Sequence, residues 1–204
     1  MNREALVITG LNPKMFCFSN EVSVSRGIKL MVENSLSDDL GMKTSIFESD
    51  WKRRGSLDKL RMDLFNQIEG INGEVVLIGL SAGMTASLIA KNKYPEKISK
   101  IISICGWTRE DINLNNNERR KLDALRGPNP VFGQAVAAYT GIHDTLKESD
   151  WGNVFGMWTR LDEFVLKSCC VHEGMGEVRE LKGVEHVGGI LLGLTKTKEM
   201  REFI

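Results

Sequence analysis

Residues 75–84 read Val-Val-Leu-Ile-Gly-Leu-Ser-Ala-Gly-Met and join a strand pattern to a serine-centred turn. The apolar run 75–78 predicts a strand buried on both faces, and residues 84–93 predict a helix directly after the turn. Gly79 and Gly83 flank Ser81, at positions where a side chain would clash with the backbone of a sharp turn. Ser81 is therefore expected in a strained conformation, with its hydroxyl above the sheet and near the helix N-terminus, which favours negative charge.

Strand and helix patterns alternate along most of the remaining chain. Strands are predicted at about residues 5–8, 43–48, 74–80, 100–105, 153–158 and 177–181, and helices at about 22–40, 56–68, 84–93 and 189–203. This alternation predicts an α/β fold, a three-layer sandwich whose mostly parallel six-stranded sheet carries helices on both faces. Ser56 is suited to cap the second helix through its side chain. Functional residues of such folds lie beyond the C-terminal ends of the strands, so the loops after the strands are expected to form any site.

Residues 108–150 interrupt the alternation. The segment contains a polar run at 113–117 and prolines at 128 and 130, with helical patterns near 118–125 and 131–139. We interpret it as a short, cap-like helical insertion above the sheet. The length of the chain suits one domain, so the prediction is a single domain over residues 1–204.

Composition argues against several classes of protein. Basic and acidic residues balance at 27 each, whereas a dedicated nucleic-acid-binding protein usually carries a basic surplus. No apolar run reaches the length of a membrane span. The first residues enter a strand pattern at once, without the apolar core of a signal peptide, so we expect a cytoplasmic location.

The four cysteines at 17, 105, 169 and 170 match neither a disulfide framework nor a CxxC zinc site. We therefore expect free thiols in a reducing compartment, with Cys105 buried at the end of a strand. Cys169, Cys170 and His172 could be considered a metal cluster, but their spacing is poor and a fourth ligand is missing. The sequence predicts no metal and no cofactor.

A serine hydroxyl needs a base to take its proton as it attacks, and histidine suits this task near neutral pH. The chain has three histidines, at 143, 172 and 186. His186 is the predicted base because it follows the last strand in a Gly-bounded loop and precedes the last helix. His143 lies in the insertion and could line a pocket, and His172 is expected at the surface.

Asp162 is the predicted acid that orients the base, since it directly follows the fifth strand. The alternative is an aspartate that serves only to form the turn. Glu163 is expected to point elsewhere, and Asp150 falls before the strand.

The motifs Gly79–Gly83 (GLSAG), Asp162–Val165 (DEFV) and Gly183–His186 (GVEH) together resemble the α/β-hydrolase superfamily. The order serine, aspartate, histidine is that of the family, and the resemblance covers essentially the whole chain. Three features depart from the family pattern. Its two leading antiparallel strands have no counterpart, Thr9 replaces the histidine common before Gly10, and Leu166 stands where a proline often follows the acid.

The resemblance implies an oxyanion hole made by two backbone N–H groups, those of Leu11 and Ala82. A set of apolar residues lies in or near the predicted loops at the active face, and together they suggest an apolar acyl or leaving-group site. These candidate substrate-binding residues are Met15, Phe16, Trp107, Phe132 and Trp158. For each of them, ordinary core or lid packing is the alternative.

The function expected from the resemblance is that of a serine hydrolase of the carboxylesterase, lipase or thioesterase type. Ser81, His186 and Asp162 would cleave a small-molecule carboxylic ester or thioester through an acyl-enzyme. An acyltransferase or peptidase could use the same three residues, and a non-catalytic interaction protein could retain the scaffold. The sequence specifies neither the substrate nor the oligomeric state.

Overall fold

The computed structural model describes residues 2–11, 27–51, 56–108, 115–127, 129–143 and 146–204. These residues form a six-stranded parallel sheet with strand order β2-β1-β3-β4-β5-β6. The strands are β1 (Arg3–Ile8), β2 (Lys43–Phe47), β3 (Glu74–Leu80), β4 (Ile98–Ile104), β5 (Val154–Trp158) and β6 (Glu177–Glu180). The predicted fold class is confirmed, and β3 has the predicted bounds.

Helices cover both faces of the sheet. The helical segment α1 spans residues 27–40 and includes a π-helical turn, Val32–Leu36, before its last turn, Ser37–Leu40. The other helices are α2 (Leu57–Gly70), α3 (Gly83–Lys93), α4 (Asn116–Arg126), α5 (Pro130–His143), α6 (Glu148–Trp151), α7 (Lys167–Cys170), α8 (His186–Leu194) and α9 (Thr197–Phe203). The predicted start of the first helix, at residues 22–26, lies outside the described residues.

Side chains of β1 show why the central strands are continuously apolar. Leu6 and Ile8 belong to a core cluster shared with α2, α3 and α5, whereas Ala5 and Val7 belong to a cluster shared with α1, α8 and α9. Successive side chains of a strand point to opposite faces, so a strand covered on both faces must be apolar at every position. Because both faces of the sheet are buried, the C-terminal ends of β3, β4 and β5 are held in fixed positions at one edge of the sheet.

Two details of the helices differ from the prediction. The last helix is two helices, because α8 begins at His186 and ends near Thr195, whose hydroxyl donates to the Leu192 carbonyl at 2.7 Å. A threonine hydroxyl bonded to a preceding carbonyl competes with helix continuation. The side chain of Ser56 makes no capping bond, and the first N–H of α2, that of Leu57, instead donates to Gln134 Oε1 at 3.0 Å.

The segment between β4 and β5 contains α4, α5 and α6 in its described part. Helix α5 packs on α3 and α2, on the face of the sheet that carries Leu6 and Ile8. Its residues Val131, Phe132, Ala135 and Val136 are buried in that core cluster. None of the described helices is both long enough and apolar enough to cross a membrane.

Lys91 links the C-terminal end of α3 to the start of β4 and to α6. Its ammonium donates to the carbonyls of Pro95 at 2.8 Å and Ile98 at 2.9 Å, and it lies 3.4 Å from Asp150 Oδ1 of α6. Only 7% of the side chain is exposed. A buried ammonium of this kind is stable only while its carbonyl and carboxylate partners remain in place.

We predict that Lys91→Ala lowers the free energy of unfolding by roughly 2–3 kcal/mol, because it leaves two carbonyls and a carboxylate without their cation. Lys93→Ala is the matched control, since Lys93 lies on the same helix and is exposed. Its effect should be within about 0.5 kcal/mol. Urea unfolding followed by circular dichroism measures both, and equal losses for the two variants would contradict the prediction.

Candidate active site

Ser81 occupies a strained turn between β3 and α3. Its φ is +51°, a left-handed conformation that residues other than glycine rarely adopt. The turn is tight because glycines let neighbouring backbones approach: a Cβ on Gly83 would lie 2.1 Å from the Ile8 carbonyl oxygen, and one on Gly79 would lie 2.7 Å from Met84 Cα. The two glycines of the sequence motif are therefore required by the geometry of the turn.

Hydrogen bonds to the Ser81 backbone hold this conformation. Its N–H donates to the Ile104 carbonyl at the end of β4, at 3.0 Å. Its carbonyl accepts from the N–H groups of Met84, at 3.0 Å, and Trp107, at 3.1 Å. With the backbone bonded to β4 and to the following helix and loop, the strained residue cannot relax without losing these contacts.

The structure brings Ser81, His186 and Asp162 together, as the sequence predicts. Ser81 Oγ lies 3.0 Å from His186 Nε2, and Asp162 Oδ2 lies 2.7 Å from His186 Nδ1. The side chains of His186 and Asp162 are only 4% and 1% exposed. The rings of Phe164 and His186 pack in a T-shaped arrangement, with centroids 5.5 Å apart. The three polar groups thus form one buried chain of hydrogen bonds.

The backbone around Asp162 determines how its carboxylate is oriented. Asp162 Oδ1 accepts the N–H groups of Phe164, at 2.9 Å, and Val165, at 2.7 Å, so Oδ2 is the oxygen that faces His186. A carboxylate only accepts hydrogen bonds, and His186 Nδ1 therefore carries the proton that bonds to it. In a neutral imidazole this leaves Nε2 as an acceptor for the Ser81 hydroxyl.

Two predictions about the loops around these residues are wrong. His186 is the first residue of α8 rather than a loop residue. Glu163 does not point elsewhere, because its Oε2 accepts the backbone N–H of His186 at 3.1 Å. Asp150 lies in α6 and pairs with Lys91, consistent with its predicted place before β5.

The loop after β1 packs directly against the serine turn. A Cβ on Gly10 would lie 2.7 Å from Ser81 Cβ and 3.4 Å from the Ala82 nitrogen, so the next residue, Leu11, adjoins the turn. Among the residues that the structure describes, no acceptor is found for the N–H of Leu11 or of Ala82. The oxyanion role of these two amides stays a prediction.

Three aromatic side chains pack edge to face near this loop. Phe132 of α5 lies between Trp51 and Trp107, with ring centroids 5.9 Å and 5.6 Å apart. The Trp51 indole N–H donates to the Thr9 carbonyl at 3.3 Å. Trp51 is not among the binding residues predicted from sequence, although it lies in the segment that follows β2, at the same edge of the sheet as the serine turn.

The remaining predicted binding residues have different outcomes. Trp158 ends β5 and is buried, with the Lys167 ammonium 4.7 Å from its ring centroid. Met15 and Phe16 lie outside the described residues, as does Cys17. The burial of Trp107, Phe132 and Trp158 agrees equally with a binding wall and with core packing, so their binding role stays a prediction.

Of the other two histidines, His172 is half-buried rather than at the surface. Its ring stacks on Trp151 with centroids 3.9 Å apart, and its Nδ1 accepts the Gly174 N–H at 3.0 Å. Both contacts are structural, while Cys169 and Cys170 are buried in the core. The side chain of His143 lies outside the described part of the structure.

Cys105 lies beside the hydrogen-bonded chain, with φ +47° at the end of β4. Its Sγ, an Asp162 carboxylate oxygen and a His186 ring nitrogen all lie within 4.8 Å of one another, close enough to share a metal ion. The Asp162 oxygens already accept bonds from two amides and an imidazole, and the thiol packs against Gly189, where a Cβ would lie 2.7 Å from Sγ. We therefore assign this group to hydrogen bonding and packing.

The buried thiols are expected to be unreactive. Burial, reinforced by the nearby Asp162 carboxylate, raises the pKa of both Cys105 and Cys170 well above the ordinary thiol value. A thiol with a raised pKa stays protonated near neutral pH, and the thiolate is the reactive form. Iodoacetamide should therefore leave both residues unmodified in the folded protein and modify both after unfolding. Peptide mapping by mass spectrometry reads each site, and rapid alkylation of folded Cys105 would contradict this prediction.

No protein-family model and no curated protein sequence matches the chain. Solved structures do match. They include a metagenome-derived lipolytic enzyme of the LipS and LipT pair (TM-score 0.62, 12% identity, 98% of this chain and 94% of that chain). The monoacylglycerol lipase of Paleococcus ferrophilus also matches (0.60, 12%, 99% and 95%). A third match is MGS-MChE2, an α/β-hydrolase enzyme from the sediment metagenome of the Mar Chica lagoon in Morocco (0.56, 16%, 100% and 90%).

These similarities span nearly the full length of both chains, so the protein has the α/β-hydrolase fold. Sequence identities of 12–16% establish the fold alone. The fold alone specifies neither reaction nor substrate, since one fold supports many functions.

Proposed function

We propose that the protein is a serine hydrolase that cleaves a small carboxylic ester or thioester through an acyl-enzyme on Ser81. The observation that carries the proposal is the buried chain from Ser81 Oγ to His186 Nε2, and from His186 Nδ1 to Asp162 Oδ2, at 3.0 Å and 2.7 Å. Support also comes from the fold, since the similar proteins include enzymes described as lipolytic and as a monoacylglycerol lipase.

In the first half of the reaction Ser81 Oγ attacks the acyl carbonyl carbon while His186 Nε2 takes the hydroxyl proton. The Asp162 carboxylate stabilises the imidazolium that forms. His186 then gives this proton to the departing alkoxide or thiolate, and the carbon–oxygen or carbon–sulfur bond of the substrate breaks. Ser81 is left as an ester of the acyl group.

In the second half a water molecule attacks the acyl-enzyme. His186 takes a proton from the water and returns it to Ser81 Oγ as the serine ester bond breaks. A carboxylic acid leaves and the enzyme is restored. The same hydrogen-bond chain serves both halves, because each half moves one proton to Nε2 and then away from it.

The N–H groups of Leu11 and Ala82 are proposed to stabilise the oxyanion. Gly10 brings Leu11 against the serine turn, and Ala82 precedes α3, whose N-terminus adds its dipole to the same place. Preorganised donors of this kind typically lower a barrier by about 3 kcal/mol each. Gly10 packs against the serine turn although the residue before it is Thr9 rather than the histidine common in the family.

An apolar acyl or leaving group would lie against the aromatic side chains near the serine turn. Trp107 is linked to this turn because its backbone N–H donates to the Ser81 carbonyl, and Phe132 packs on Trp107 from α5. Residues 108–150 would then act as a cap-like insertion that supplies one wall of the binding site. Residues 12–26 lie outside the described part of the chain, so the binding roles of Met15 and Phe16 stay predictions.

The test is release of p-nitrophenol from p-nitrophenyl esters of increasing acyl length, recorded before and during steady state. An acyl-enzyme predicts a burst that approaches one equivalent of active protein when deacylation is slower than acylation. Turnover should be absent in Ser81→Ala. Equal release by the wild-type protein and Ser81→Ala across the whole series would contradict the proposal.

Analysis of products decides between hydrolysis and the other reactions possible at such a serine. The proposed hydrolase gives free carboxylic acid whether or not an alcohol or amine acceptor is added. An acylated acceptor as the main product would identify a transferase, and cleavage of peptide substrates in preference to esters would identify a peptidase.

A further inference from the structure

We infer that Thr159 and Glu163, the two residues that flank the Asp162 turn, position His186 for the reaction with Ser81. The inference rests on the proposed function, because it assigns these residues to the base of that reaction. Within the described residues, no hydrogen bond joins either side chain to Ser81. Their effect is exerted through the backbone on both sides of the histidine.

Residues of the loop after β5 make three hydrogen bonds to Val184 and His186. The Thr159 hydroxyl donates to the Val184 carbonyl, two residues before His186. Asp162 Oδ2 binds the His186 ring at 2.7 Å, and Glu163 Oε2 accepts the His186 backbone N–H at 3.1 Å. One loop therefore holds the imidazole, the backbone of the same residue, and the chain that leads to it.

Each of the two flanking residues has the right local setting for this role. Thr159 is buried, and its hydroxyl also accepts the Leu161 N–H at 3.3 Å, so it couples the shape of the acid turn to the position of Val184. Glu163 is exposed, but its carboxylate reaches the first N–H of α8. An acceptor there satisfies an N–H group that has no partner within the helix.

The geometry makes the histidine sensitive to both contacts. The Nε2 atom lies at the far end of the imidazole, so a small shift or rotation of the His186 backbone moves it relative to Ser81 Oγ. A misplacement of about 1 Å in a reacting group can cost on the order of 100-fold in rate. Glu163 fixes the backbone while Asp162 fixes the ring, and together they leave the imidazole little freedom to rotate.

The test compares each truncation with a substitution that keeps the hydrogen bond. Glu163→Ala and Thr159→Val are each expected to lower kcat with an activated ester by about tenfold, with KM changed less than about twofold. Glu163→Gln keeps an oxygen acceptor and Thr159→Ser keeps the hydroxyl, so both should stay within about threefold of the wild-type kcat. These rescuing variants also distinguish hydrogen bonding from the negative charge of Glu163.

Ser37→Ala is the control for loss of one side chain–backbone hydrogen bond away from the site. The Ser37 hydroxyl donates to the Met42 carbonyl at 3.0 Å, at the turn between α1 and β2. This variant should lower the melting temperature slightly and leave kcat unchanged. Thr159→Val removes buried hydrogen bonds, so its kinetics are measured at a temperature where circular dichroism shows that the variant is folded.

Glu163→Asp shortens the side chain but keeps the charge. We expect its loss of kcat to lie between those of Glu163→Gln and Glu163→Ala.

Wild-type kcat in both truncated variants would overturn the inference. It would also be overturned if the conservative variants gave no rescue, that is, if Glu163→Gln lost as much kcat as Glu163→Ala and Thr159→Ser lost as much as Thr159→Val. A rise in KM without a change in kcat would also overturn it, because it would place the residues in substrate binding. Failure of the proposed function has a different signature: the wild-type protein itself would then release no more p-nitrophenol than Ser81→Ala.

Discussion

Replacement of Ser81 with alanine is expected to lower kcat for ester hydrolysis by on the order of 10⁵-fold, leaving only the small acceleration that the backbone donors and substrate binding provide. The substitution removes the oxygen that would carry the acyl group and leaves His186 with nothing to deprotonate. The steady-state rate with a p-nitrophenyl ester, together with the disappearance of the burst, measures the effect. Binding of a non-hydrolysable ester analogue should change little, since the aromatic wall and the backbone donors remain.

The stability of Ser81→Ala provides its own control. The strained conformation at φ +51° is held by backbone hydrogen bonds, which alanine retains, so the variant should fold. Its melting temperature is expected within a few degrees of the wild-type value. A folded Ser81→Ala protein that retained more than about a tenth of wild-type kcat would rule out Ser81 as the nucleophile.

Asp162→Asn is expected to lower kcat by about 10⁴-fold while KM changes little. The structure explains why this isosteric change should be so damaging. The N–H groups of Phe164 and Val165 require an oxygen at the Oδ1 position, so an asparagine would turn its NH₂ group toward His186 Nδ1. The ring would then accept at Nδ1 and carry its proton on Nε2, where it could no longer take the proton of Ser81.

The matched variant for this prediction is Glu163→Gln, the same acid-to-amide change at the adjacent residue. Its oxygen faces the His186 backbone N–H, so the ring tautomer is unaffected and kcat should stay within about threefold of wild type. A direct observation comes from ¹⁵N NMR of labelled His186, in which Asp162→Asn should move the proton from Nδ1 to Nε2. Similar small effects of Asp162→Asn and Glu163→Gln would contradict the role assigned to Asp162.

The strands and the serine turn could be predicted from sequence because their signals are local. A strand buried on both faces is apolar at every position, and β3 lies at the predicted residues 74–80. Gly79 and Gly83 are needed where backbones approach closely, so the pentapeptide predicts its own conformation. The positions of Asp162 and His186 followed from the rule that parallel strands deliver their loops to one edge.

Other features depend on contacts that a local pattern does not encode. The sequence prediction is that Glu163 points elsewhere, whereas successive side chains point to opposite sides only while the chain is extended. The Asp162 N–H instead donates to the Thr159 carbonyl at 3.3 Å, and the turn curls back so that both carboxylates reach His186. The placement of Trp51 beside this loop likewise involves a bond to Thr9, 42 residues earlier in the chain.

The central claim is that the hydrogen-bonded chain of His186 and Asp162 makes Ser81 a nucleophile. Reaction with a fluorophosphonate, followed by peptide mapping, tests it most directly, because only an activated serine forms the covalent adduct. We predict one adduct per protein molecule, located on Ser81, lost in Ser81→Ala and greatly slowed in Asp162→Asn. A folded protein that formed no adduct, or formed it on a residue other than Ser81, would contradict the claim.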